Sequence, residues 1–274
     1  MNIHRLHTRE EARASAISEF ETLVKEAQGS PLLLLFSGGS ALELLGGFQE
    51  DLLQGYDSTI GVLDERYSKD PGTSNFAQLA TSRFYQEAKM RGVHSIDTRA
   101  YEGLHFQDIG ERFAQALKEW KRKNASGKVI ITQGIGEDGH TAGIMPYPLH
   151  RERFGKLFEN ADKWVVAYDV RETEEKEVQP APATRQNPLF ARTVRGTTML
   201  WQGRPKHTEE AFPMRITVTL PFLRNIVDHS IVYAVGARKE RILSRVLLEH
   251  GELWEFPARV IHEMKDVRVF CDIA

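Results

Sequence analysis

Residues 134–146 read GIGEDGHTAGIMP and concentrate the groups best suited to chemistry. Gly134, Gly136 and Gly139 fit G-x-G-x-x-G, the loop that cradles a dinucleotide pyrophosphate. The letters between them argue against that use. Glu137 and Asp138 would stand where the pyrophosphate lies, and two like charges about 4 Å apart repel by about 1 kcal/mol in water and more in a drier site. The acidic residue that contacts the ribose belongs at a strand end about 20 positions on, and Asp169 comes too late. The other reading is that the glycines turn the chain tightly to present His140. An imidazole suits general-base work at neutral pH. Asp138, two residues earlier, is placed to orient the ring and set its tautomer. The bland alternative is a histidine that caps a helix starting at HTAGIM. No second His or Cys stands nearby at zinc spacing, so no metal is expected.

Three other stretches carry polar groups where apolar runs end. SGGSALELL follows LLLLF, and a strand that passes through Gly38, Gly39 and Ser40 into a helix start makes an anion site from free N–H groups. Ser40 is expected to cap that helix and donate to an oxygen; a plain tight turn is the alternative. DERYS follows IGVL. Arg66 can fork onto a phosphate or carboxylate, and Asp64 can hold a hydroxyl or move a proton, against the alternative of a solvated charge cluster. The TSN that follows, with Asn75, says nothing by itself. Lys239, in VGARKERIL, sits near a helix N-terminus, where a cation is unfavourable unless an anion joins it. Arg215 opens the apolar stretch MRITVTLPFL.

These residues need elements to hold them. Apolar runs recur at 32–36, 59–64, 128–134, 163–170, 230–236 and 267–273. Continuous runs of this length predict strands buried on both faces. Helical periodicity lies between them: Ile17, Phe20, Val24 and Ala27; Ile109, Phe113, Ala116, Leu117 and Trp120; Ile242, Val246 and Leu247. Strands alternating with helices predict an α/β fold with a mostly parallel sheet. Ligands in such sheets bind beyond the carboxyl ends of the strands, which is where the polar stretches fall. Residues 171–213 are polar and aperiodic and are expected to form an irregular insertion in a single domain spanning 1–274.

Composition narrows the function. Hydrophobic residues make up 41% and charged residues 27% of 274, with a formal net charge of -2. Nothing here favours nucleic acid as a partner. The longest apolar run, 31–36, is far too short to span a bilayer. The single cysteine, Cys271, admits no internal disulfide and suits a reducing compartment. The polar N-terminus has no signal-peptide core, and His4 and His7 within it are expected at the surface. A soluble cytoplasmic protein acting on a small molecule is the expectation.

In order along the chain, SGGSA, LDERY…TSN, GIGEDGHTAGIMP, VGARKERIL, FPARVI and a terminal FCDIA resemble the 6-phosphogluconolactonases, part of the wider glucosamine-6-phosphate isomerase/deaminase superfamily. The resemblance covers about residues 30–160 and 214–274, and GEDGHTA is its most specific part. It implies a Rossmann-like three-layer α/β fold that uses no nucleotide, cofactor or metal. It also implies hydrolysis of a sugar-phosphate lactone in the pentose phosphate pathway. His140 then matches the catalytic histidine, Asp138 its acidic neighbour, and Asp64 and Arg66 the D-E-R motif. Gly38, Gly39 and Ser40 match the phosphate loop, Lys239 a lysine that contacts phosphate in the deaminase branch, and Arg215 the arginine of an R-I-T stretch. The chain departs from the pattern at Ala41 and Leu42, where the family reads Thr-Pro, and at AGIMP, where it reads A-S-L-F-P. In the deaminase branch a glutamate stands five residues after the histidine; here that position is Met145. An amino-sugar-phosphate isomerase or deaminase with Asp64 as base, and a sugar-phosphate sensor without turnover, are the alternatives.

Overall fold

Buried strands and amphipathic helices alternate along a computed structural model that describes residues 1–173, 212–248 and 250–272. The first half runs β1 (Asn2–Arg5), α1 (Arg9–Glu26), β2 (Leu32–Phe36), β3 (Ser58–Val62), β4 (Asp64–Arg66), α2 (Asn75–Thr81), α3 (Arg83–Met90), β5 (His94–Ser95), α4 (Phe106–Lys123) and β6 (Lys128–Gln133). The second runs α5 (Arg151–Phe158), β7 (Val165–Asp169), β8 (Met214–Val218), α6 (Leu220–Asn225), β9 (His229–Tyr233), α7 (Glu240–Leu247) and β10 (Val267–Cys271). Of the insertion expected at 171–213, residues 174–211 lie outside the described residues.

Seven strands form one parallel sheet in the order β1-β10-β9-β6-β2-β3-β5. The interior strand β2 shows why the run LLLLF has no alternation. Leu32, Leu34 and Phe36 point into a core shared with Phe20 and Val24 of α1, while Leu33 and Leu35 point into the core on the opposite face. Each such side chain, fully buried, contributes about 1.5–3 kcal/mol. α1 to α3 cover the first face, with Thr8 capping α1 by accepting from the Glu11 N–H at 3.1 Å. The fold is therefore α/β and mostly parallel, with both sheet faces covered.

The second face carries an element absent from the sequence expectation. β4, β8 and β7 form a three-stranded antiparallel sheet. The apolar run at 163–170 is a strand, as its composition predicts, but it belongs here and not to the parallel sheet. Ile109, Phe113, Leu117 and Trp120 of α4 lie at helical spacing and share a core with Val165, Tyr168 and Ile216 of this sheet. His4 and His7 are exposed. Among the described residues no helix is long and apolar enough to cross a membrane.

Candidate active site

Four neighbouring strands, β9, β6, β2 and β3, run the same way, and the chain after each turns toward one cavity of about 260 Å³. Parallel strands converge their carboxyl ends in this manner wherever the order of connection reverses. The cavity is lined by Gly38, Gly39, Ser40, Asp64, Arg66, His140, Arg215 and Lys239. Of the nine residues singled out by sequence, only Asp138 is outside the lining, and it stands behind the His140 ring.

After β6, His140 Nδ1 lies 2.5 Å from Asp138 Oδ1, which also accepts the His140 backbone N–H at 3.0 Å. One carboxylate oxygen thus holds both the ring and its backbone. A Cβ at Gly136 would run into the imidazole, so glycine there lets the ring fold back over the loop. Gly139, with φ at 89°, makes the turn. Gly134 has open space around it and no special backbone angle, so it is not needed as glycine. No helix starts at His140. The chain makes a tight turn from Thr141 to Ile144, and the next helix begins at Arg151.

After β2, the expected helix is instead a 3₁₀ segment, Gly39–Gly47, with Gly38 at its N-cap. Ser40 therefore does not cap it; its hydroxyl accepts from Lys239 Nζ at 3.2 Å. Gly38 is required because a Cβ would run into the Asn75 amide. Lys239 arrives from the short turn after β9, at the N-cap of α7. Half-buried, it is pulled below its ordinary pKa of 10.5 by desolvation, with Glu137 and Glu43 opposing.

The antiparallel sheet supplies the remaining wall. Arg66 lies directly opposite Arg215 across β4 and β8, and Asp64 opposite Thr217. Like charges directly opposite are unfavourable unless something negative joins them. Asp64 is buried, and its carboxylate accepts from Ser37 Oγ and Asn75 Nδ2, both at 3.2 Å. Asn75 Nδ2 also donates to the Asp64 carbonyl at 2.9 Å.

Ser37, Asn75 and Glu65 were assigned no role from the sequence. Glu65, 1% exposed, accepts from the N–H groups of Arg66, Asn75 and Phe76 and from the hydroxyls of Ser74 and Thr98. Burial pushes its carboxyl up to about 7, against the pull of these donors. Glu65 lashes β4 to the start of α2, which sets Asn75 beside Asp64. The only sequence signal was a strand-end carboxylate followed nine residues later by the helix cap Ser74.

The family described as glucosamine-6-phosphate isomerases/6-phosphogluconolactonase has a sequence profile that matches residues 7–179. The chain belongs to this family. Solved structures agree on the fold at low identity. A 6-phosphogluconolactonase from Shewanella baltica is 17% identical, with a TM-score of 0.65 over 99% of this chain and 97% of that one. A 6-phosphogluconolactonase from Trypanosoma brucei is 17% identical, with a TM-score of 0.64 over 98% and 95%. A monomeric glucosamine-6-phosphate deaminase is 16% identical, with a TM-score of 0.58 over 99% and 97%. Both activities thus occur on this isomerase/lactonase architecture. No curated protein matches the chain.

Proposed function

We propose that the protein hydrolyses 6-phosphogluconolactone to 6-phosphogluconate. The observation that carries this reading is the His140 imidazole, tied through Nδ1 to Asp138 and lining a cavity that also holds an ammonium and two guanidinium groups. With Nδ1–H donated to Asp138, Nε2 is the basic nitrogen of the neutral ring. Nε2 takes a proton from water as the water oxygen bonds to lactone C1. The bond from C1 to the ring oxygen then breaks, and Nε2–H returns the proton to that oxygen. The product acid ionises to solvent.

The rest of the cavity positions the lactone. The N–H groups and hydroxyl of Gly38–Ser40, with Lys239, receive the phosphate. Binding energy at that remote group orients the reacting carbon. Arg66 and Arg215 form a second cationic pole for anionic or polar oxygens. Asp64, fixed by Ser37 and Asn75, accepts a sugar hydroxyl. Met145, buried in the cavity wall, carries no proton to transfer, which favours the lactonase over ring-opening deamination.

The test is a turnover screen. We expect hydrolysis of 6-phosphogluconolactone at ordinary enzymatic rates, about 1–10³ s⁻¹, poor turnover of unphosphorylated gluconolactone, and no ammonia from glucosamine 6-phosphate. Efficient deamination would overturn the reading. Equal turnover of both lactones would remove the phosphate anchor from it.

A further inference from the structure

We propose that the turn Thr141–Ile144 supplies the oxyanion site of this enzyme, with the Gly143 backbone N–H as its donor. The inference rests on the lactonase reading and names a catalytic group that reading leaves unassigned.

The turn is closed by the Ile144 N–H donating to the Thr141 carbonyl at 2.7 Å. Its two central residues both have left-handed backbones, Ala142 with φ at 50° and Gly143 with φ at 68°. Ala142 is the one non-glycine residue with positive φ among the described residues. A backbone held in a sparsely populated region persists only where its surroundings impose it, and such residues cluster at functional sites. The surroundings here are two hydroxyl groups from the antiparallel sheet. Thr217 Oγ1 donates to the Ala142 carbonyl, and the Tyr168 hydroxyl donates to the Gly143 carbonyl at 2.6 Å. Burial pushes the Tyr168 hydroxyl well above 10, so it stays a donor.

These anchors dictate where the N–H groups face. In a planar trans peptide the carbonyl and the following N–H point in opposite directions. With the Ala142 carbonyl drawn onto Thr217, the Gly143 N–H faces away from that sheet. Ala142 and Gly143 both line the cavity, immediately after His140. Both are buried, yet among the described residues neither N–H reaches an acceptor. Buried N–H groups without a partner are rare in folded proteins. A Cβ at Gly143 would come within 2.8 Å of the Asp64 Cβ, so only glycine lets the turn sit this close to β4.

The chemistry matches. When water, deprotonated by His140, adds to C1, the carbonyl electron pair moves onto oxygen. A fixed N–H dipole aimed at that oxygen lowers the barrier without reorganising. Gly143 is the catalytic group; Thr217 and Tyr168 are positioning residues that hold it.

The decisive variant replaces Gly143 by glycolic acid, which exchanges one amide for an ester, deletes the N–H and weakens the Ala142 carbonyl as acceptor for Thr217 Oγ1. Among the described residues that N–H reaches no acceptor, so its deletion breaks no bond of the turn, and an unchanged denaturant midpoint reports that the fold is kept. We expect kcat to fall by about 10²–10³, with KM and 6-phosphogluconate binding at the wild-type level. Tyr168→Phe, measured alongside, should lower kcat by about tenfold at constant KM, the cost of a loosened donor. An ester variant or a Tyr168→Phe variant with wild-type kcat overturns the assignment. Loss of kcat in Arg66→Met with the ester variant intact would move the oxyanion to the guanidinium pair. Absence of lactone turnover in the unmodified protein would instead defeat the lactonase reading itself, so the two failures are distinguishable.

Discussion

The two walls of the cavity solve the same positioning problem by different means. The wall made by the loops after β2, β6 and β9 works through the backbone. Glycine at 136 admits the imidazole, glycine at 38 admits Asn75, and His140 and Lys239 each reach a polar side chain, Asp138 and Ser40. The wall made by β4 and β8 works through register. There Arg66 meets Arg215 and Asp64 meets Thr217 only because two distant strands pair. A single proton-transfer group with a set tautomer can be built within seven residues of chain. A doubled positive charge needs long-range pairing to hold it.

The contrast can be broken first at the backbone-built wall. His140→Gln should lower kcat on 6-phosphogluconolactone by about 10²–10⁴, the usual worth of a general base. Calorimetric binding of 6-phosphogluconate should stay as in the wild type; loss of binding would make His140 an anchor and not a base. Next in size, Lys239→Ala should weaken that binding about ten- to a hundredfold, since a charge-assisted hydrogen bond is worth about 1.5–3 kcal/mol. Because burial lowers the Lys239 pKa below 10.5, wild-type affinity should decline with rising pH before 10.5 is reached. Deprotonation removes the charge, so the alkaline decline should vanish in Lys239→Ala. An affinity flat across that range would show the phosphate lies elsewhere.

The register-built wall should respond in stability more than in rate. Glu65→Gln should cost about 1–3 kcal/mol in denaturant unfolding, because either orientation of the amide sets its NH₂ group against a backbone N–H. Glu65 also gives the wild type a pH signature. Its folded pKa of about 7 exceeds the ordinary 4.5, so the folded state binds this proton more tightly than the unfolded one. Its contribution is full below about 4.5 and is lost as pH rises through 7. Stability should fall over that window and fall less in Glu65→Gln; an unchanged slope would place the titration elsewhere. The smallest effect is the most diagnostic. Arg66→Met should weaken substrate binding while changing stability by no more than about 1 kcal/mol, the size of one cross-strand pair. Wild-type binding of 6-phosphogluconate in this variant would show that Arg66 is no part of the anion site.

Residues of both walls could be named from the sequence, but only the backbone-built wall showed how its residues are held. Runs such as 32–36 and 129–131 are uniformly apolar because both their faces are buried, so their ends, and the polar residues there, could be located. β4 is three charged residues long, and nothing local marks Asp64–Arg66 as a strand. Its identity as one comes from β8, beyond the irregular stretch. The run at 163–170 shows its strand character but not its partner, because apolar content does not encode direction. Glu65 reads as a solvated charge until its five donors are assembled from residues 66 to 98. Ala142 carries no propensity for a left-handed backbone, so its turn is visible only in three dimensions.

Lys239 meets Ser40 across 199 residues, and β1 pairs with β10 so that Asn2 faces Arg268. Contacts so distant along the chain slow folding, because the closure entropy is lost before the contact forms. At synthesis rates of about 5–20 residues per second, the glycine loop waits on the order of ten to forty seconds for its lysine to be made. The first strand waits longer, its edge open to other chains. Refolding followed by lactone turnover should therefore lag refolding followed by helix content, because the cavity is complete only once Lys239 has reached Ser40.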